Sequence, residues 1–321
     1  MVVIDRFHRN VTYLRISVTD RCQMSCSYCT LQEEPKESLS AREIGELVRV
    51  AGERLGFRKI RLTGGEPLLR PDLAEVVEEV VATSQIVEVA MTTNGLLLAG
   101  RAEELAKAGL RTVNVSLDSL DPARFRELTS SGSLDAVVEG LRAARRAGIQ
   151  RRKLNVVLLG GVNEEEVVEF VRFAIAEDVE VRFIEHMPMD DSRLTSWRVD
   201  PDEIRARLRE EFGELQPVAT DRSGGPAELW LVGGARVGFI RAISGPFCDR
   251  CNRLRVTSEG KIRSCLLSGG EVDLAGVLRG TLPEEERASA LATLFQTAAD
   301  AKPPVYELMR DGAVPMRQLG G

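Results

Sequence analysis

Six times in its first 185 residues the chain alternates a short apolar stretch with an amphipathic one. Tyr13–Val18, Lys59–Leu62, Val87–Met91, Thr112–Leu117, Lys153–Leu159 and Val179–Ile184 read as strands. Helical faces fall between them. Ser40–Leu55 opens on a capping box, with Ser40 as N-cap and Glu43 three residues on. Leu73, Val76, Val77, Val80 and Val81 form one helical stripe. Arg101–Ala108 and Leu134–Ala147 stop at Gly109 and Gly148, good C-terminal stops. Asn163 reads as the cap of a helix that runs through Glu177. Parallel strands need crossovers, so this pattern predicts an α/β fold around a parallel sheet. Near-continuous apolar runs such as Val156–Leu159 predict strands covered on both faces. Six repeats are too few for a closed eight-stranded barrel. An open partial barrel and a doubly wound sheet both fit the pattern.

The remainder of the chain changes character. Asp202–Phe212 reads as a helix, and Gly233-Gly234 joins Glu228–Val232 to Arg236–Ile240 as a hairpin. Ser258-Glu259-Gly260 joins Arg253–Thr257 to Lys261–Cys265 as a second, and Pro283–Ala299 closes as a helix. The expected division is residues 1–190 and a smaller α+β unit, 191–321. With 43 basic against 49 acidic residues the net charge is −6, which does not give the basic footprint of a nucleic-acid binder. No apolar run is long enough to span a bilayer, and Asp5 and Arg6 stand where a signal peptide needs apolar residues. A cytoplasmic chain is expected, with neither nucleic acid nor membrane as partner.

All six cysteines fall in two tight groups. The first is Cys22, Cys26 and Cys29, just after the first strand, on the end that carries active sites in parallel β/α architectures. The second is Cys248, Cys251 and Cys265. At this length no disulfide staple is needed, and closely spaced cysteines in a reducing compartment bind metal or do chemistry. Structural zinc takes four ligands. Three thiolates on a four-iron cluster leave one iron open to a small molecule, so three plus three points to two open clusters. A single zinc site, built from Cys26-x-x-Cys29 and Cys248-x-x-Cys251, is the alternative, and it leaves Cys22 and Cys265 unused. His8 and His186 are remote in sequence from both groups.

The C-x3-C-x2-C spacing, with Tyr28 before its third cysteine, resembles the radical S-adenosylmethionine (SAM) superfamily. Gly64-Gly65-Glu66-Pro67, directly after the second strand, is similar to that superfamily's GGEP motif. Cys248-Asp-Arg-Cys251-Asn-Arg253-Leu254-Arg255 through Cys265, with a C-terminal Gly320-Gly321, resembles the GTP 3′,8-cyclase family over nearly the whole chain. One departure stands at Thr30-Leu31, where the family commonly has Met-Pro. Radical SAM peptide-modifying enzymes, the second reading, usually carry more auxiliary cysteines. A zinc-stabilised binding module and a plain electron carrier would use the same cysteines without this chemistry; carriers usually close their clusters with four protein ligands.

The resemblance implies an incomplete (β/α)6 radical SAM barrel, followed by an α+β domain with a second Fe–S cluster. It implies two 4Fe-4S clusters, one on each cysteine group, and SAM as cofactor. A one-electron reductant would drive cleavage of SAM, and the 5′-deoxyadenosyl radical would take the ribose 3′ hydrogen of GTP. Ring closure then gives 3′,8-cyclo-7,8-dihydroguanosine 5′-triphosphate. Arg15, Cys22, Cys26 and Cys29 are implied as catalytic. Tyr28, Gly64, Gly65, Glu66, Ser116 and Met187 fall at SAM positions. Arg15, Arg61, Thr92, Lys153, Arg182, Arg253, Leu254 and Arg255 fall at GTP positions. Arginine suits the triphosphate because its fork donates two parallel hydrogen bonds, and charges inside apolar strands call for a partner. Arg317 and the Gly-Gly tail could also reach the site. A homodimer, and hand-over of product to cyclic pyranopterin monophosphate synthase, complete the expectation.

Overall fold

A computed structural model describes residues 2–29, 37–187, 197–219, 225–266 and 270–303. The strands are β1 (Tyr13–Ser17), β2 (Lys59–Thr63), β3 (Glu88–Thr93), β4 (Thr112–Ser116), β5 (Arg151–Leu158), β6 (Glu180–Glu185), β7 (Gln216–Pro217), β8 (Glu228–Val232), β9 (Ala235–Ile240), β10 (Arg253–Val256), β11 (Lys261–Arg263) and β12 (Glu271–Asp273). The helices are α1 (Ala41–Arg49), α2 (Leu73–Val81), α3 (Leu98–Lys107), α4 (Pro122–Thr129), α5 (Leu134–Arg146), α6 (Val167–Glu177), α7 (Pro201–Phe212), α8 (Ala275–Leu278) and α9 (Glu284–Asp300). None among the described residues is long and apolar enough to cross a membrane.

The strands form one 12-stranded sheet, in the order β12-β11-β10-β1-β2-β3-β4-β5-β6-β9-β8-β7. The neighbours from β1 to β6 are parallel and follow chain order. A doubly wound sheet reverses direction at a switch point; this one does not. Right-handed crossovers that all step the same way put their helices on one face, so the arrangement is an open barrel segment. The strands after residue 200 make no sheet of their own. β9 joins parallel beside β6, and β10 joins parallel beside β1. Residues 241–252, which include Cys248 and Cys251, therefore connect the two edges of the six-stranded array.

Local chemistry sets the crossovers. Ser40 and Glu43 form the expected capping box at α1, and a wide turn, Val50–Arg54, carries that helix on toward Leu55. Pro122 begins α4, capped by Asp121, a helix that the sequence pattern does not signal. Asn163 stands at the N-cap position of a short 3-10 turn, Glu164–Glu166, that leads into α6, but its side chain makes no capping hydrogen bond. Its side chain accepts from the Leu159 amide and donates to the carbonyls of Asp118 and Val157, so it ties the ends of β4 and β5 together. α9 returns to the first half of the chain, where Phe295 meets Phe57 edge-on at 5.6 Å.

The strands are not apolar on both faces as predicted. Leu14, Ile16, Ile60, Leu62, Met91, Val113, Leu154, Val156, Val181 and Phe183 join the buried core with the helices. The alternate residues, Tyr13, Arg15, Lys59, Arg61, Thr92, Asn114, Asn155 and Arg182, line a cavity on the other face. β5 shows the alternation in its burial, residue by residue.

Candidate active site

Strand register assembles the cavity wall. Arg15 stands opposite Arg255 on one side and Arg61 on the other. Two residues back, Tyr13 stands between Arg253 and Lys59. Residues two apart on a strand point the same way, so six polar side chains from three strands share one wall. Arg182 and Thr92 line the same cavity. Arg61 donates to the Tyr13 hydroxyl and, at 3.1 Å, to Thr92 Oγ1.

Cations packed this closely disturb one another. Burial and the neighbouring Arg255 hold Arg15 well below the usual arginine range. Burial and Arg253 bring Arg255 down to about 10, against the pull of the Cys265 and Cys251 thiols. Burial pushes the Tyr13 phenol up, but Arg61, Arg15, Lys59 and Arg253 outweigh it and bring it down to about 8. Such a wall is built to receive an anion.

The second cysteine group faces this wall. Cys248, Cys251 and Cys265 all line the cavity, and none of them is in a disulfide. Burial raises the Cys251 thiol, yet Arg253 and Lys302 beside it bring it down to about 6. Neighbouring cations favour the thiolate, the form that ligates iron. Among the described residues no three His, Cys, Asp or Glu side chains converge closely enough to hold a single metal ion.

The first group is held by two loops. Gly65 and Glu66 donate their backbone N–H groups to the Thr19 and Arg21 carbonyls, at 2.8 and 2.7 Å. A Cβ on Gly64 would meet the Thr19 oxygen at 2.3 Å, and one on Gly65 the Arg21 oxygen at the same distance. The close approach these glycines allow is to the cysteine loop itself. Glu66 is fully buried, and its carboxylate accepts from Leu68 N–H (2.9 Å), Thr93 Oγ1 (2.7 Å) and Asn94 N–H (2.6 Å). Asn94 in turn donates to Cys22 Sγ at 3.8 Å. Three half-buried thiols on one short loop, with an amide donor at Cys22, fit a cluster ligand set.

Tyr28 joins this loop to the cavity. It lines the cavity and donates its hydroxyl to Asp118. Burial and the Asp118 charge push its phenol well above the usual value, with Cys26 and Cys29 adding to the rise. Burial raises Asp118 to about 6, although Tyr28 and the Val157 N–H, 2.7 Å away, work against it.

Of the sequence-predicted residues, the cavity brings together Arg15, Tyr28, Arg61, Thr92, Arg182, Met187, Arg253, Arg255 and the second thiol group. Ser116 ends β4, half-buried and off the cavity wall. Lys153 lines a separate cavity at the strand starts, 3.8 Å from Glu180; burial and Arg182 lower it to about 8. Lys59 and Arg182 line both cavities. The Leu254 side chain is wholly buried in the core, on the face opposite Arg253 and Arg255, so only its backbone is turned toward this region. Thr30-Leu31, Asp190, Arg317 and Gly320-Gly321 lie outside the described residues.

Sequence reasoning misses Tyr13, Asn114, Asn155 and Lys302, whereas Asp118 ends the fourth strand among the small polar groups that it marks as able to meet a ribose or amino acid. Asn155 carries a usable signal, being two residues after Lys153 on one strand. His186, to which the sequence assigns no role, lines the cavity edge-on to Trp197 at 5.6 Å. Its Nε2 has no hydrogen-bond partner among the described residues, and burial lowers its pKa.

Two family models match the chain, the radical SAM superfamily over residues 16–174 and Molybdenum Cofactor Synthesis C over 179–308. A GTP 3′,8-cyclase of Heliobacterium modesticaldum is 42% identical over 332 residues, covering 99% of this chain and 100% of its own. One from Pseudomonas putida is 45% identical over 298 residues, with 89% and 87% covered. The chain belongs to the GTP 3′,8-cyclase family. Membership of the radical SAM superfamily implies a 4Fe-4S cluster and SAM. The crystal structure of Streptococcus suis SuiB bound to S-adenosylmethionine has the same fold, with a TM-score of 0.63 at 16% identity over 91% of this chain and 69% of that one.

Proposed function

We propose that this chain converts GTP to 3′,8-cyclo-7,8-dihydroguanosine 5′-triphosphate, the first step of molybdenum cofactor biosynthesis. One observation carries the reading: a single cavity holds the arginine row Arg255-Arg15-Arg61, the second thiol group and Tyr28. GTP brings about four negative charges, which need charge-assisted donors. Cys22, Cys26 and Cys29 would hold one 4Fe-4S cluster, and Cys248, Cys251 and Cys265 a second. The first supplies, when bound, the electron that cleaves SAM to the radical which takes the ribose 3′ hydrogen.

The chain's own residues bind, orient and exclude water. Arg15, Arg61, Arg182, Arg253 and Arg255 hold the anionic substrate, with Thr92 beside them; Leu254 offers backbone, and Lys153 serves from the strand starts. Tyr28 and Met187 hold SAM, and Ser116 lies at the end of the adjoining strand. Gly64, Gly65 and Glu66 fix the cysteine loop on which SAM binds. Division near residue 190 is part of this reading; the two family models match separate stretches but meet earlier, between residues 174 and 179. A cytoplasmic homodimer, an external one-electron reductant and hand-over to cyclic pyranopterin monophosphate synthase also belong to it, supported by family membership alone.

Under anaerobic reduction with SAM, 5′-deoxyadenosine is expected to form with GTP and not with ATP. Cleavage indifferent to the nucleotide sinks the substrate assignment. Arg253 stacks over Phe247 at 4.7 Å beside the second thiol group. Arg253→Ala is expected to weaken GTP binding about 10- to 100-fold, the loss of one charged hydrogen-bond set. SAM binding should be unchanged in calorimetry. Equal loss of both ligands would contradict two separate subsites.

A further inference from the structure

Lys302 sits just past the end of α9, far in sequence from either cysteine group, and is 2% exposed. Its Nζ lies 2.8 Å from the Arg253 carbonyl, 3.1 Å from the Ser264 carbonyl and 3.5 Å from Cys251 Sγ. An ammonium has three donors and no acceptor; here it meets three acceptors. These come from both arms of the second group, the 251–253 segment and the 264–265 segment. The first arm is anchored again from the N-terminus: Arg9 donates to the Cys248 carbonyl at 2.6 Å and to the Pro303 carbonyl at 2.9 Å. Arg9 is itself fixed by Asp5 at 2.5 Å. Three distant pieces of chain thus close on one set of thiols.

We propose that Lys302 is a positioning residue of the second cluster site, the buried counter-charge that draws its two arms together and favours the reduced cluster. The inference rests on the reading that Cys248, Cys251 and Cys265 bind such a cluster. A cluster with three thiolate ligands is anionic and gains a further negative charge on reduction. A fixed cation within hydrogen-bond reach of a ligand sulfur stabilises the reduced form more than the oxidised one. Lys302 does not itself line the substrate cavity and reaches the arginine wall only through the Arg253 carbonyl.

The test uses the full chain with Cys22→Ala, Cys26→Ala and Cys29→Ala, so that only the second group can bind, reconstituted anaerobically with iron and sulfide. The Lys302→Met and Lys302→Arg variants are compared in that background. Redox titration followed by electron paramagnetic resonance reads the couple directly. Lys302→Met is expected to keep its iron and to show a reduced-to-oxidised ratio about tenfold lower at a fixed potential, about 59 mV for one electron. Lys302→Arg is expected to restore most of the ratio. Loss of iron from Met but not from Arg also supports the proposal, because charge then holds the arms together. An unchanged ratio in Met, Arg behaving like Met, or iron lost from both variants overturns it. Absence of iron from the parent protein would instead sink the two-cluster reading.

Discussion

Arg15→Met is expected to cost about a hundredfold or more in kcat/KM for GTP while making the ligand-free protein more stable. Arg15 is the middle member of a row, flanked in register by Arg255 and Arg61. It is 8% exposed and held below the usual arginine range by burial and by Arg255. In the proposed reading, a phosphate bound here would accept from the Arg15 fork and from its strand neighbours. Losing one charged donor set removes about 3 kcal/mol of binding, which is the hundredfold. Without the anion its charge is buried close to Arg255, Arg61 and Arg253, with Tyr13 opposing them. Methionine matches its stem in length and removes the repulsion, a change of about 1–2 kcal/mol in favour of folding. At this chain length that is a rise of a few degrees in Tm. Steady-state kinetics and a thermal melt without nucleotide check both arms. A lower Tm, or GTP kinetics unchanged, would show that Arg15 is structural.

The cysteine groups and the GGEP loop are legible because their information is local. So are the Ser40–Glu43 capping box and the Gly233-Gly234 hairpin, each set by residues within a few positions of one another. What the sequence hides is what register creates. The run Val156–Leu159 reads as apolar throughout, yet Val157 faces the cavity while Val156 and Leu158 face the helices. One apolar residue on the polar face masks the alternation. Lys153 and Arg182 look alike as basic residues at strand starts, but only Arg182 lines the main cavity. Both reach Glu180, Arg182 at 2.6 Å and Lys153 at 3.8 Å, and both line the cavity at the strand starts. Asn163 has the right type and place for a helix cap, but two strand ends compete for its amide and win.

Longer-range partners leave no trace in spacing at all. Tyr28 and Asp118 are 90 positions apart, and their hydrogen bond exists only because β1 and β4 end on the same side of the sheet. Placement of the second cysteine group follows from topology in the same way. β9 and β10 pair with opposite edges of the six-stranded array, so the segment joining them has to pass between those edges. Pattern reading places both hairpins correctly and gives no hint of which strands they extend.

Glu66→Gln is expected to destabilise the chain at pH 5 and to do so much less at pH 8. The glutamate carboxylate receives three donors, and a glutamine must turn its NH2 group toward at least one of them. The hydroxyl oxygen of a protonated carboxyl can still accept, whereas an amide NH2 cannot; an unsatisfied buried donor costs about 1–3 kcal/mol, so glutamine is a poor replacement even where the glutamate is neutral. Burial raises the glutamate to about 7 against the pull of Thr93, Asn94 and Leu68, from 4.5 in the ordinary carboxylate. The folded state therefore binds the proton more tightly than the unfolded one. Stability from this group is complete below about pH 4.5 and is lost as pH rises through 7, up to about 3 kcal/mol. Glutamine does not titrate, so the gap between the two proteins closes by that amount on going from pH 5 to pH 8. Denaturant unfolding at the two pH values measures it, and a gap that widens with pH would mean Glu66 is held as an anion. The same joint holds Asn94 against Cys22, so Glu66→Ala, with all three donors freed, should also lose the first cluster. Iron per chain would fall to about half, from the eight of the two proposed clusters to four, with SAM cleavage abolished. Full iron in that variant would show that the cysteine loop keeps its shape without the GGEP carboxylate.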